Sequence, residues 1–266
     1  MTLRKRLTAT SSSVLVFLSF LLFSNSRILA NISSNLADTA KTNGTAAAQL
    51  DVYSMPATVH NELTGKNTPN GISSITKLSA RVCRGEFEPL SLFLQPKAAV
   101  NNITFKWTDF SGSGYSIPQN QLDVSIVKVW YQSGYKSDLT ETGVIKHLTQ
   151  EVLVKNDNII KVDYSAQTNN LLVSKNGSSY YINISDPNAT FPSDVIVKDS
   201  SKLQPLSLDG TTNRQIWLTI HVPEDAPSGK YTSQFTISSD QGVIQTFPIE
   251  IEVLPFNLDQ SRLTYS

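Results

Sequence analysis

Beyond residue 48 the apolar positions of this chain recur at intervals of two. Phe247, Ile249, Ile251 and Val253 alternate with Pro248, Glu250 and Glu252, which predicts a strand with one buried face and its acids in water. Tyr231, Phe235 and Ile237 lie across the turn "SSDQGV", where Gly242 supplies the positive φ of a tight hairpin, so the two runs are expected to pair. Ile216, Leu218, Ile220 and Val222 face one way, and Trp217, Thr219 and His221 the other. "EDAPSGKY" then turns the chain through Pro227 and Gly229 into a return strand. Two upstream runs are apolar on both sides. Leu90, Leu92 and Leu94 oppose Phe87 and Phe93; Val124, Ile126 and Trp130 oppose Val127, Val129 and Tyr131. That is the pattern of inner strands covered on both faces. No stretch of helical length carries the helical period. The expected fold is all-β, an antiparallel β-sandwich of Ig-like or jelly-roll-like kind with little helix.

Residues 136–213 follow the rule least well. "EVLVKNDNIIKVDYS" and "SSYYINIS" read as strands, and the polar stretches "SAQTNN" and "SDPNATFPSD" between and after them read as loops. A loop-rich insertion of this size marks either function or misread elements.

The first thirty residues have a different grammar. Arg4, Lys5 and Arg6 precede an apolar run from Val14 to Phe23 and a small, polar stretch, the order of a secretory signal peptide. An uncleaved anchor, lengthened by Ile28 and Leu29, is the alternative. Both readings place the rest of the chain outside the cytoplasm, secreted or at the cell surface, with no stable membrane insertion if the signal is cleaved. The expected organisation is a signal peptide over 1–30, a polar tether over 31–48 and the sandwich over 49–256. Residues 257–266 read as the start of a linker or of a further barrel domain. Sequons at Asn31, Asn43, Asn102, Asn176, Asn183 and Asn188 are expected in exposed polar loops.

Composition narrows the chemistry. Lys and Arg number 22 against 22 Asp and Glu, without a long run of one sign, which disfavours nucleic acid as a partner. Cys83 is the only cysteine, so no internal disulfide is possible, and a small buried thiol is its expected state. His60, His147 and His221 are scattered without metal-ligand spacing, so neither metal nor cofactor is expected. "SGSGY" at 111–115 has the pattern of a loop, not of a phosphate-binding turn. Glu86 and Glu88 flank Phe87 and would lie about 7 Å apart on a strand, a spacing compatible with glycoside hydrolysis. A surface pair, or a salt-bridge cluster with Arg81 and Arg84 at the start of the strand, is the favoured reading of them. Sugar rings stack on flat amphipathic side chains, which singles out Trp107, Tyr135, Tyr180 and Tyr181 as candidate carbohydrate-binding residues, with Trp130 and Tyr131 behind them. Core packing accounts for Trp130 and Trp217. Tyr180 and Tyr181 point to opposite faces, so at most one is expected in a shared core.

"WLTIHVPEDAPSGKYTSQFTI" followed by "FPIEIEVLPFNL" resembles the end of the N-terminal β-sandwich of proteins similar to glycoside hydrolase family 123, in which an adjoining (β/α)8 barrel of DUF4091 type performs the chemistry. "RGEFEPLSLFLQP", "LTQEVLV" and "VKDSSKLQPLSLDGTTNRQIW" match the same domain in order, so the resemblance spans 78–258. It implies a noncatalytic accessory domain, not an enzyme, whose partners are a catalytic barrel or carbohydrate. The family's Asp-Glu pair, which assists the substrate's own N-acetyl group, lies in the barrel and carries over to no position here. A free-standing extracellular carbohydrate-binding or adhesion module is the alternative.

Overall fold

The computed structural model describes residues 49–57, 71–135, 144–186, 188 and 190–257. The expected signal peptide and tether lie outside the described residues. Sixteen strands are described: β1 (Leu50–Ser54), β2 (Ser73–Ser74), β3 (Leu78–Arg84), β4 (Phe87–Pro96), β5 (Val100–Trp107), β6 (Phe110–Gly112), β7 (Tyr115–Ile117), β8 (Leu122–Tyr135), β9 (Val144–Val154), β10 (Ile160–Asp163), β11 (Thr168–Lys175), β12 (Ser178–Asn183), β13 (Leu206–Leu208), β14 (Arg214–His221), β15 (Gly229–Ser239) and β16 (Gly242–Asn257). Two three-residue 3-10 turns, Gln119–Gln121 and Asp157–Ile159, lead into β8 and β10.

These strands form two large sheets and one small one. The first runs β2-β1-β4-β14-β8-β9; the second runs β13-β5-β15-β16-β3, with the β6–β7 hairpin joined through β15. Their alternating apolar residues meet in one core: Leu92, Ile126, Ile216 and Leu218 from the first sheet share a cluster with Ile103, Phe235, Ile249 and Ile251 from the second. Each such side chain, removed from water, contributes about 1.5–3 kcal/mol. The β15–β16 hairpin has the expected register, with Tyr231 opposite Ile251 and Phe235 opposite Phe247. Gly242 stands at φ 115 in its turn. One pair departs from the antiparallel expectation: β3 lies parallel to β16.

The double-sided pattern of β4 and β8 has a physical reason. On the far side of the first sheet, Phe93 and Val129 join Met55 in a second, smaller cluster, with Tyr53, Ile72 and Leu148 packed against it. Ser91, Ser125 and Gln215 are buried on the same sheet, and Gln215 Nε2 donates to Ser91 Oγ at 2.8 Å.

The stretch 223–231 is a built corner. Tyr231 is fully buried, and its hydroxyl donates to Pro227 O at 2.7 Å, tying the turn to the start of the strand. Gly229 has φ 144, a conformation that side-chain-bearing residues rarely adopt, and a Cβ there would stand 1.9 Å from Ser113 Oγ and displace that side chain of the β6–β7 turn.

The middle region corrects the sequence reading. Thr168, Asn169 and Asn170 of "SAQTNN" open β11, the central strand of the small sheet β10-β11-β12. "SGSGY" turns a short hairpin between β6 and β7. The sequons of Asn102 and Asn183 stand in strands, exposed, whereas Asn176 occupies the β11–β12 turn.

Candidate functional site

The candidate aromatics do not converge. Trp107 ends β5, stacks on Phe235 with ring centroids 5.9 Å apart, and donates from Nε1 to Gln119 O at 2.7 Å. Tyr180 and Tyr181 stand on β12, on the small sheet, and neither is buried: they are 39% and 40% exposed. The Tyr181 hydroxyl donates to Asn158 O at 2.8 Å, with Lys161 Nζ 5.7 Å from its ring centre. Tyr135 closes β8, and its side chain lies outside the described residues. Trp130 packs against the main core, as its place in the alternation requires. Tyr131 meets Tyr164 edge to face at 6.4 Å.

Trp107 nevertheless lines a cavity. A pocket of about 410 Å³ opens between β5, the start of β8 and the segment 201–205. Phe105, Trp107 and Leu203 give it apolar walls; Asp123, Lys155 and Gln204 give it polar ones. Lys155 Nζ pairs with Asp123 Oδ1 at 2.6 Å and also donates to Val124 O at 2.6 Å and Ser125 Oγ at 2.8 Å. Asp199 accepts from the backbone N–H groups of Lys155 and Asn156 at 2.5 and 3.1 Å, and Gln204 N donates to Lys155 O at 2.7 Å. The segment that roofs the pocket is thus fastened to β9's end. Sequence reasoning singled out Trp107 but missed Lys155, Asp199 and Gln204, whose roles arise from contacts across about 30–50 residues.

A second constellation was invisible in the alternation. Lys128 sits at a core-facing position of β8, its side chain 4% exposed, with Nζ 3.0 Å from Asp157 Oδ1 and 2.7 Å from Asp157 O. Arg214 reaches the same carboxylate through Nε and Nη2, both at 3.2 Å. Burial, with the repulsion of Arg214, pushes Lys128 down to about 8 against the pull of Asp157. Burial raises the Asp157 carboxyl too, but Arg214 and then Lys128 outweigh it and hold it below the ordinary carboxylate value. A polar depression of about 190 Å³ adjoins this triad.

Glu86 and Glu88 interact electrostatically but do not share a strand. Glu86 lies in the turn before β4, where its carboxylate accepts from Cys83 N at 2.6 Å. Arg81 pairs instead with Glu252, at 3.2 Å. Glu88 is raised by partial burial and by Glu86. Cys83 is a buried free thiol, pushed up by burial and by Glu86. His221 stacks on Phe87, centroids 4.2 Å apart, and its Nδ1 lies 2.7 Å from Gln121 Oε1. His60 and the His147 side chain lie outside the described residues. Another depression, of about 470 Å³, lies on the second sheet between Arg81, Lys230, Glu250 and Glu252.

An almost wholly β body of two sheets on one core, with a ligand-sized pocket at their seam, defines the class of the fold. Residues 145–239, from β9 to β15, match the family model of the glycoside hydrolase 123 N-terminal domain, and so bear out the resemblance over that stretch. Among solved structures, the chain is similar to a family 123 glycoside hydrolase from Clostridium perfringens, analysed for glycolipid glycan hydrolysis, at 18% identity and a TM-score of 0.41; the match covers 71% of this chain and 24% of that one. It is also similar to AvmM, described as catalysing macrocyclization in alchivemycin A biosynthesis, at 9% identity and a TM-score of 0.31, over 70% of this chain and 87% of that one. The comparison with curated proteins gave no match.

Proposed function

We propose that this chain is the noncatalytic accessory domain of a secreted glycoside-hydrolase-like protein, a β-sandwich that packs against a catalytic barrel, positions it and touches carbohydrate. The observation that carries the reading is the match of residues 145–239 to the glycoside hydrolase 123 N-terminal domain. One end of the fold supports the packing role. Asn257, at the end of β16, pairs with Arg84, and the turn after Arg84 delivers Phe87, 67% exposed and stacked on His221. Phe256, next to Asn257, is 50% exposed. Large apolar side chains held in water together at one end of a fold are suited to a neighbouring domain.

A second reading, a free-standing carbohydrate-binding or adhesion module, is favoured by the Trp107 pocket, which lies at the sheet seam and has walls of both polarities. Incubating the purified chain alone with an aryl N-acetylhexosaminide tests the noncatalytic role. The reading expects release at the buffer rate, and turnover at enzymatic rates would overturn it.

A further inference from the structure

We propose that the pocket between Trp107 and the 201–205 segment is a saccharide-binding site, built to take one sugar residue of a glycan against its apolar wall. This deepens the carbohydrate part of the reading above and rests on it.

Both walls of the pocket are held rigidly. Trp107 is fixed twice, by its Nε1 bond to Gln119 O and by its stack on Phe235, so its ring does not need to be ordered when a ligand arrives. The opposite wall is fixed as well, because the Asp199 carboxylate and the Gln204 backbone fasten the roofing segment to the backbone of Lys155 and Asn156. A site ordered beforehand spares the binding step much of its entropic cost.

Chemistry then selects the ligand. The cavity, about 410 Å³, falls in the size range of small-molecule sites. Phe105, Trp107 and Leu203 offer flat or apolar surface, which matches the C–H face of a pyranose. Around them stand two acceptors, the Asp123 carboxylate and the Gln204 amide oxygen, and one ammonium donor, Lys202; the three N–H groups of Lys155 and the two of Gln204 are already held within the protein and fix the polar wall. Neighbouring sugar hydroxyls, each donor and acceptor at once, pair with such a mixed set. A wholly apolar ligand would bury the Asp123–Lys155 ion pair without replacing its water, which is costly. A phosphate would meet the Asp123 carboxylate, whose Oδ1 already holds Lys155 at 2.6 Å.

The test uses the full chain and an array of immobilised neutral hexose, N-acetylhexosamine, uronic-acid and sialylated oligosaccharides, followed by calorimetry on any binder. Ser201→Trp is designed to fill the cavity from its exposed segment. Lys202→Ala combined with Gln204→Ala removes two polar partners, and serves if the tryptophan variant does not fold. The proposal expects at least one glycan class to bind, with affinity falling about tenfold or more in either variant, and unchanged in Tyr180→Ala and Tyr181→Ala. Binding that survives both pocket variants but falls in the tyrosine variants would overturn the pocket and leave the carbohydrate reading standing. An array without any binder would overturn both.

Discussion

The Asn169 side chain grips the backbone of Tyr131 from both sides: its Oδ1 accepts from Tyr131 N at 2.9 Å and its Nδ2 donates to Tyr131 O at 2.6 Å. A side-chain amide here does what a neighbouring strand would do, and so joins the small sheet to β8. Asn169 is 3% exposed, so its removal leaves two backbone groups short of partners. Asn169→Ala is expected to cost about 2–3 kcal/mol. The isosteric Asn169→Asp should cost as much or more, because a carboxylate cannot donate to Tyr131 O. Urea unfolding of the three proteins checks both; an Asp variant as stable as the parent would contradict the assignment.

Asp157 and Lys128 should respond very differently to substitution. Asp157 neutralises two buried cations, so Asp157→Ala strands both Lys128 and Arg214 and is expected to cost about 3–5 kcal/mol. Lys128→Met leaves Asp157 with the two-pronged bond from Arg214, removes a charge whose burial is itself unfavourable, and should change stability by less than about 1 kcal/mol. Equal losses in the two variants would contradict this account of the triad.

The same lysine sets a pH signature. Its folded value, about 8, lies below the 10.5 of an exposed lysine, so between these limits the unfolded chain binds the extra proton and stability rises with pH. The full rise is about 3 kcal/mol. Tyr231, raised by burial, acts in the opposite sense: its contribution is complete at lower pH and is lost as pH climbs beyond the ordinary tyrosine value of 10.0. Cys83, raised above its ordinary 9.0, acts as Tyr231 does, so the window from about pH 8 to 9.5 is clean once both proteins compared carry Cys83→Ala. Guanidinium unfolding across it should show stability increasing in the parent and flat in Lys128→Met; parallel curves would refute the assignment.

Tyr231→Phe removes only the hydroxyl, which donates to Pro227 O and meets the Ser113 side chain, while the ring remains in the core. The expected cost is about 1 kcal/mol, whereas Tyr231→Ala, which also empties the core position, should cost about 3–5 kcal/mol. Thermal unfolding measures the difference.

What sequence could and could not reveal follows from these sites. β14, β15 and β16 were legible because their burial is one-sided and local: Ile216, Leu218 and Ile220, or Phe247, Ile249 and Ile251, announce the core by spacing alone. β12 was legible in "SSYYINIS" although it is almost wholly exposed, whereas β11 was hidden because it is opened by Thr and Asn. Asn169 reads as a loop residue until its partner 38 positions away is known. Lys128 breaks the alternation of Val124, Ile126 and Trp130, and only Asp157 and Arg214, brought in by the fold, explain a lysine there. At the candidate site, aromatic chemistry pointed to Trp107. The polar half of the pocket is assembled from β8, the end of β9 and the 201–205 segment, which no local pattern links.

The central claim, an accessory domain working beside a catalytic barrel, is tested most directly by purifying the native protein from its source with chemical cross-linking and sequencing the attached peptides. The account predicts cross-links from the end bearing Phe87, His221 and Phe256 to a barrel of glycoside-hydrolase type, in the same polypeptide or in a stable complex. Recovery of the chain with no such barrel would contradict it.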